Sequence, residues 1–238
     1  MSAHRSLATA ALAVTTLLLP ATGGRAWAAD DVAAAGTEAA PGKTDPAHAA
    51  PGAPPIGDAA SGQGKAAACG GCHGMDGNSA MGMFPKLAGQ VPSQFRKQIA
   101  DFKSGSRSDP MMTGMAALVG DQDGWDLAAW FASTRPLSAP ADPAVAAAGE
   151  AIFRWGKPEA GLVACGGCHN RRGEGYDRGL PGGVPAVRGQ HPDYTAKQLF
   201  AFKDGSRKND WNGVMRNVAS RLSDEEIRSL AAYIGGLQ

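Results

Sequence analysis

The chain has 238 residues, 33 of them Gly and 16 Pro, with 6% aromatic residues and a 43% hydrophobic fraction that is largely alanine. That length suits one ordinary domain or two small ones, yet bulky side chains to fill a core are scarce, so something else is expected to supply apolar bulk. Charge is balanced at 23 basic against 22 acidic residues, and no basic stripe interleaved with aromatics points to nucleic acid. No long apolar run outside the N-terminus points to a polytopic membrane protein.

In chain order, a basic start at Met1 to Arg5 precedes the apolar stretch Leu7 to Leu19, and Ala26-Trp27-Ala28 offers the small residues that signal peptidase requires. The apolar stretch is too short to cross roughly 30 Å of hydrocarbon comfortably. Residues 1–28 are therefore expected to be a cleaved signal peptide that directs export. Residues 29–57 are Ala, Pro and Gly punctuated by isolated charges. Such a composition cannot bury enough to offset its ordering entropy, and it reads as a disordered tether.

From residue 58 onward an internal repeat organises the chain. Cys69-Gly70-Gly71-Cys72-His73 returns as Cys165-Gly166-Gly167-Cys168-His169, 96 residues later. Phe84-Pro85-Lys86-Leu87-Ala88-Gly89-Gln90 is answered by Val184-Pro185-Ala186-Val187-Arg188-Gly189-Gln190 at an offset of 100. Lys97-Gln98, Phe102-Lys103 and Gly105-Ser106-Arg107 keep that step, and the last helix of each copy, from Asp121 and from Asp224, is offset by 103. The chain is a duplicated small domain, with expected domains at 58–136 and 144–238. Prolines 136, 140 and 143 punctuate a short, stiff linker at 137–143.

Helical periodicity is clearest over residues 91–102, 121–133, 144–155, 193–202 and 223–235, the last opened by a capping box from Ser223 to Glu226. No run alternates like a strand, so the fold class is all-α. Between the second and last helix of the first copy lies a Pro/Met-rich segment, read as a loop.

On a helical turn Cys69, Cys72 and His73 present two thiols and an imidazole to one object, as do Cys165, Cys168 and His169. Two thiols adding to the vinyl groups of a flat macrocycle, with the adjacent imidazole on its iron, is the chemistry that spacing serves. Two covalent haem c groups are the favoured cofactors, and they would also supply the missing apolar bulk. Thiol redox or disulfide chemistry and a zinc site remain as weaker alternatives. For a sixth ligand, counting back nine residues from Asp121 and Asp224 reaches Met112 and Met215. A competing count from Arg107 and Arg207 pairs Met115 with Met215.

These motifs, together with the run Gly189 to Leu199, the Met112-Thr113-Gly114-Met115 segment and the ending Ala231-Ala232-Tyr233-Ile234-Gly235-Gly236-Leu237, resemble the dihaem cytochrome c4 family over residues 58–238. The resemblance implies a tandem duplication of two class I cytochrome c domains, each wrapped around one covalent haem. It implies iron ligated by His73 with Met112 and by His169 with Met215, leaving no open substrate site, hence an electron carrier rather than an enzyme. Pro85 and Pro185 resemble the family's proline whose carbonyl orients the proximal imidazole, with a plain turn proline as the alternative. Arg107 and Arg207 are candidates for pairing with haem propionates, or else solvated loop residues.

Gly64 and Gly149 are expected to pack against Trp130 and Tyr233 where the first and last helices of a domain cross. Trp155, Trp211 and Tyr176 are read as core or haem-pocket wall, and His48 and His191 as spare histidines. The family further implies single-electron transport in the bacterial periplasm toward a terminal oxidase, often in membrane-associated form. The redox partners expected are an oxidase, a cytochrome bc1-type complex or a periplasmic dehydrogenase. The alternative function is a cytochrome subunit or electron acceptor of such a dehydrogenase, or a dihaem redox enzyme. Residues 29–140 carry 8 basic and 11 acidic side chains and residues 141–238 carry 13 and 11, so the two ends are expected to meet different partners.

Overall fold

The computed structural model describes residues 57–177 and 180–238, all within one contact unit. The expected signal peptide and nearly all of the expected tether lie outside them. Ten α-helices run in order among the described residues: α1 (Ala59–Lys65), α2 (Ala67–His73), α3 (Pro92–Ser104), α4 (Pro110–Ala117), α5 (Asp121–Ser133), α6 (Pro143–Trp155), α7 (Cys165–His169), α8 (Pro192–Lys203), α9 (Val214–Ala219) and α10 (Asp224–Gly236). The only extended pairing described is two isolated bridges, Lys157 with Leu162 and Tyr176 with Val184.

Local chemistry sets these helices. Pro occupies the first turn of α3, α4, α6 and α8, where a missing N–H costs nothing. The side chains of Asp58, Asp109 and Asp142 cap α1, α4 and α6. Ser223 and Glu226 form the expected capping box at α10. The segment read as a Pro/Met-rich loop is helix α4. Its proline is the first helical residue rather than a breaker, and Asp109 accepts the N–H groups of Met111 and Met112 at 3.2 and 3.1 Å.

Each half repeats one packing scheme: α1 crosses α5 and α6 crosses α10, α3 and α8 lie against these last helices, and α4 and α9 lie against α3 and α8. The N-terminal core gathers Phe95, Ile99, Phe102, Leu127 and Phe131 with small alanines, whereas the C-terminal core is mostly aliphatic around Phe153. The helix crossings depend on Gly62 and Gly149. A Cβ built at Gly62 would stand 2.0 Å from the Asp126 carbonyl oxygen, and one at Gly149 would stand 2.2 Å from that of Ser229. Gly62 also abuts Trp130, but Gly64 meets nothing. The crossing glycine of the first half is therefore Gly62 rather than the expected Gly64. Gly62 and Gly149 are 87 apart and Cys69 and Cys165 96, so nine more residues lie between Gly149 and Cys165 than between Gly62 and Cys69.

Those extra residues build a loop of their own. Lys157 and Leu162 exchange backbone hydrogen bonds at 2.8 and 3.0 Å, Leu162 is buried in the core, and Lys157 pairs with Glu226 at 2.6 Å. Trp155, Trp211 and Tyr176, read as core or haem-pocket wall, are exposed (71, 45 and 37%) and so do not belong to the core. All three belong to, or immediately flank, segments outside the helix-crossing scaffold.

Candidate haem-binding sites

Helix α2 carries Cys69, Cys72 and His73 in one short helix, and α7 carries Cys165, Cys168 and His169. None of the four cysteines is paired in a disulfide. Burial pushes the thiol of Cys69 up from its ordinary pKa and that of Cys165 up to about 11. A reactive redox thiol needs the opposite shift. Among the described residues, no three His, Cys, Asp or Glu side chains converge as a metal site, so the cysteine pairs do not meet as a four-thiolate zinc centre would require.

His73 is buried and lies 2.8 Å, through Nδ1, from the carbonyl oxygen of Pro85; His169 Nδ1 lies 2.9 Å from that of Pro185. A carbonyl only accepts, so Nδ1 carries the proton in each ring and Nε2 keeps its lone pair. Desolvation lowers both imidazole pKa values, partly offset by these hydrogen bonds. Each ring is therefore held neutral and oriented, with its second nitrogen available to a metal. Pro85 and Pro185 supply the same carbonyl acceptor in both halves.

Met112 on α4 packs on the N-terminal core with Cys69, and Met215 on α9 packs on the C-terminal core with Cys165. Each lies four residues before a fully buried alanine, Ala116 and Ala219. Met111 and Met115 are exposed, as are Met75, Met81 and Met83. Burial thus follows the offset of 103 that pairs Met112 with Met215. In each half, two thiols, a neutral imidazole and a core-facing thioether form a donor set that fits a covalent haem.

Arg107 and Arg207 are not solvated loop residues. Both reach the seam between the halves, where the side chains of Gln98 and Gln198 meet them. Arg107 donates to Gln98 Oε1 at 2.7 Å, to Gln198 Oε1 at 3.0 Å and to the Tyr194 hydroxyl at 2.8 Å. Arg207 donates to Gln198 Oε1 at 2.7 Å, to Gln98 Oε1 at 3.3 Å and to Asn209 Oδ1 at 2.9 Å. Each guanidinium also stacks on a phenylalanine of its own half, Phe102 at 4.7 Å and Phe202 at 4.4 Å. Burial, with the charge of Arg107 adding to it, brings Arg207 down to about 10. Arg207 remains cationic at neutral pH.

His191, read as spare, bridges the same seam. Its Nε2 lies 2.9 Å from both Oγ and the carbonyl oxygen of Ser79. Four glutamines, 90, 98, 190 and 198, contribute most of the remaining cross-seam bonds. Their repetition at matched positions is visible in the sequence. Nothing in their residue type announces a cofactor-related role, so periodicity was the only available signal.

The profile of the cytochrome c family matches residues 59–135 and again 146–238. The chain is 47% identical over 206 residues to cytochrome c4 of Azotobacter vinelandii, covering 82% of this chain and 94% of that one. It is 35% identical over 182 residues to the thiosulfate dehydrogenase electron acceptor of Stutzerimonas stutzeri (strain A1501), covering 72% and 80% of the two. The crystal structure of reduced recombinant cytochrome c4 from Pseudomonas stutzeri superposes with a TM-score of 0.72 at 47% identity, covering 77% of this chain and 100% of that one.

Proposed function

The chain belongs to the cytochrome c4 family and carries two covalently bound haem c groups, and from that membership we propose a periplasmic carrier that passes single electrons toward a terminal oxidase. When bound, each haem supplies a one-electron iron couple. The protein's own residues determine how that couple is held. In this reading Cys69 and Cys72 attach one haem and Cys165 and Cys168 the other. Nε2 of His73 with the thioether of Met112, and Nε2 of His169 with that of Met215, would hold the two irons.

The observation that carries this reading is the matched pair of hydrogen bonds from Nδ1 of His73 and His169 to Pro85 and Pro185, with one methionine packed on the core of each half. An imidazole–thioether pair would favour a relatively high potential. With both groups on the iron, no position would be open to a substrate, and little would rearrange as an electron enters or leaves. That suits a carrier better than an enzyme.

The domains proposed are 58–136 and 144–238, joined at 137–143. A second reading has a specific ground: similarity to a thiosulfate dehydrogenase electron acceptor supports an acceptor for a periplasmic dehydrogenase. Both readings predict reduction by a donor and reoxidation by an acceptor, and they differ in which. Purified reduced protein is mixed with oxidase-containing membranes of its host, and oxidised protein with a thiosulfate dehydrogenase and thiosulfate. Rapid reoxidation in the first mixture is expected. Reduction in the second alone would favour the dehydrogenase reading, and neither reaction would overturn both.

A further inference from the structure

Gln90 and Gln190 end the element that follows each proximal histidine's acceptor proline, and each side chain crosses to the opposite half. Gln90 Oε1 accepts the N–H of Ala186 at 2.9 Å while its Nε2 donates to the Ala186 carbonyl at 3.1 Å. Gln190 does the same to Lys86, accepting its N–H at 2.9 Å and donating to its carbonyl at 3.0 Å. Each Oε1 is further fixed by the next N–H of its own chain, from Val91 at 3.0 Å and from His191 at 3.1 Å. The turns that present them are pinned to the last helices, with Gly89 N–H on the Phe131 carbonyl at 2.7 Å and Gly189 N–H on that of Ile234 at 3.0 Å.

The peptide groups these glutamines reach are the ones that orient the histidines. The N–H of Ala186 and the carbonyl of Pro185 belong to a single peptide unit, and that carbonyl accepts Nδ1–H of His169. The N–H of Lys86 and the carbonyl of Pro85 form another, and that carbonyl accepts Nδ1–H of His73. Hydrogen bonds in series polarise one another, by roughly 10–30% per bond. An acceptor on a peptide N–H makes the carbonyl of the same peptide a stronger acceptor. That strengthens the Nδ1–H bond and makes the imidazole more basic toward a metal.

We propose that Gln90 and Gln190 are crossed positioning residues, each tuning the proximal histidine of the opposite half: Gln90 acts on His169 through the Pro185–Ala186 peptide, and Gln190 on His73 through Pro85–Lys86. The inference rests on those histidines being the proximal ligands. A more basic imidazole favours the ferric state, so losing the glutamine raises the potential of the haem in the other half. A glutamine that merely tied the seam together would behave differently. Its loss would admit water to the seam and move both haems downward together.

The test is an NMR-monitored redox titration of the intact dihaem protein, with haem signals assigned to each half, on Gln90→Met, Gln190→Met and Gln90→Glu. Spectra of the unaltered protein establish the histidine–methionine ligation first, so a failure of the underlying reading is seen before any variant is compared. Gln90→Met is expected to change the ferric-to-ferrous ratio of the C-terminal haem about threefold toward ferrous at fixed poise, an upward shift of about 28 mV at 59 mV per tenfold. The N-terminal haem should stay near its original value. Gln190→Met should give the reciprocal pattern. Gln90→Glu, whose carboxylate is a stronger acceptor for the Ala186 N–H, should move the C-terminal haem the other way. In the reduced protein the Nδ1 proton of His169 should shift upfield in Gln90→Met and downfield in Gln90→Glu. A shift larger in the variant's own half, an equal shift of both haems, or an unmoved Nδ1 proton would overturn the assignment.

Discussion

The two halves solve the same helix crossing with different chemistry. In both, a glycine lets the first helix meet the last, and in both the residue facing it from the last helix is buried and polar. In the N-terminal half that residue is Asp126, which accepts from the Asp58 N–H at 2.9 Å, from Lys65 Nζ at 2.5 Å and from Gln122 at 2.9 Å. In the C-terminal half it is Ser229, which accepts from the Gly149 N–H at 2.7 Å and donates to the Val145 carbonyl at 2.6 Å. Steric closeness fixes the glycine. The polar partner only has to satisfy its own hydrogen bonds, so it is free to be an ion in one copy and a hydroxyl in the other.

The largest test of the halves' equivalence is at the methionines. Met112→Ala is expected to abolish the thioether-to-iron absorption of one oxidised haem and Met215→Ala that of the other, each removing about half of the band, while Met115→Ala leaves it whole. Loss of the band in Met115→Ala would show that the halves are not aligned as their buried alanines indicate. At the helix crossing, Gly62→Ala and Gly149→Ala should each cost about 2–3 kcal/mol or more, since the added carbon meets backbone that cannot move aside. Gly64→Ala, in open space on the same helix, should stabilise by about 0.5–1 kcal/mol. Chemical denaturation of all three sharpens which glycine is the structural one.

A smaller effect separates the halves by pH. Hydrogen bonds from Asp58, Lys65 and Gln122 hold Asp126 down from its ordinary value to about 2. A depressed carboxylate stabilises the fold above its unfolded pKa near 3.8, and the contribution is lost as pH falls through about 2. The N-terminal half should therefore lose about 1–2 kcal/mol across that window, a figure kept low because Lys65 lies partly at the surface. The C-terminal half, with Ser229, should lose nothing from this site. Acid titration followed by NMR signals in each half checks this, and Asp126→Asn should flatten the response. The smallest effect is expected from the charge difference between residues 29–140 and 141–238. If the basic C-terminal half docks an acidic partner, electron-transfer rates fall with ionic strength. Stopped-flow rates independent of salt would remove that distinction between the ends.

Much of this was legible from residues alone, and the reasons differ by element. The cysteine motifs were legible because covalent attachment tolerates no other spacing. Helices α5 and α10 were legible because their apolar faces repeat at helical period. Helix α4 was missed because Pro110 and Gly114 look like breakers, and only its N-terminal context shows that the proline starts the helix. Gly62 and Gly64 both lie on α1, and only the approach of α5 shows that Gly62 is the one at the crossing. Trp155 and Trp211 lie outside the core, against the expectation that an aromatic residue is usually buried, because they flank segments the scaffold does not cover.

Composition, duplication and two five-residue motifs by themselves determined that the chain is a tandem helical protein organised around two haem-binding sequences, because local chemistry at short range leaves few alternatives. Only the tertiary structure decided which methionine turns to the core, which glycine lets the helices touch, and that the repeated glutamines and arginines meet across the seam. The glycine crossings join residues 64 and 80 positions apart and the seam contacts join residues about 90 to 110 apart, separations at which neither periodicity nor spacing carries information and packing decides what faces what.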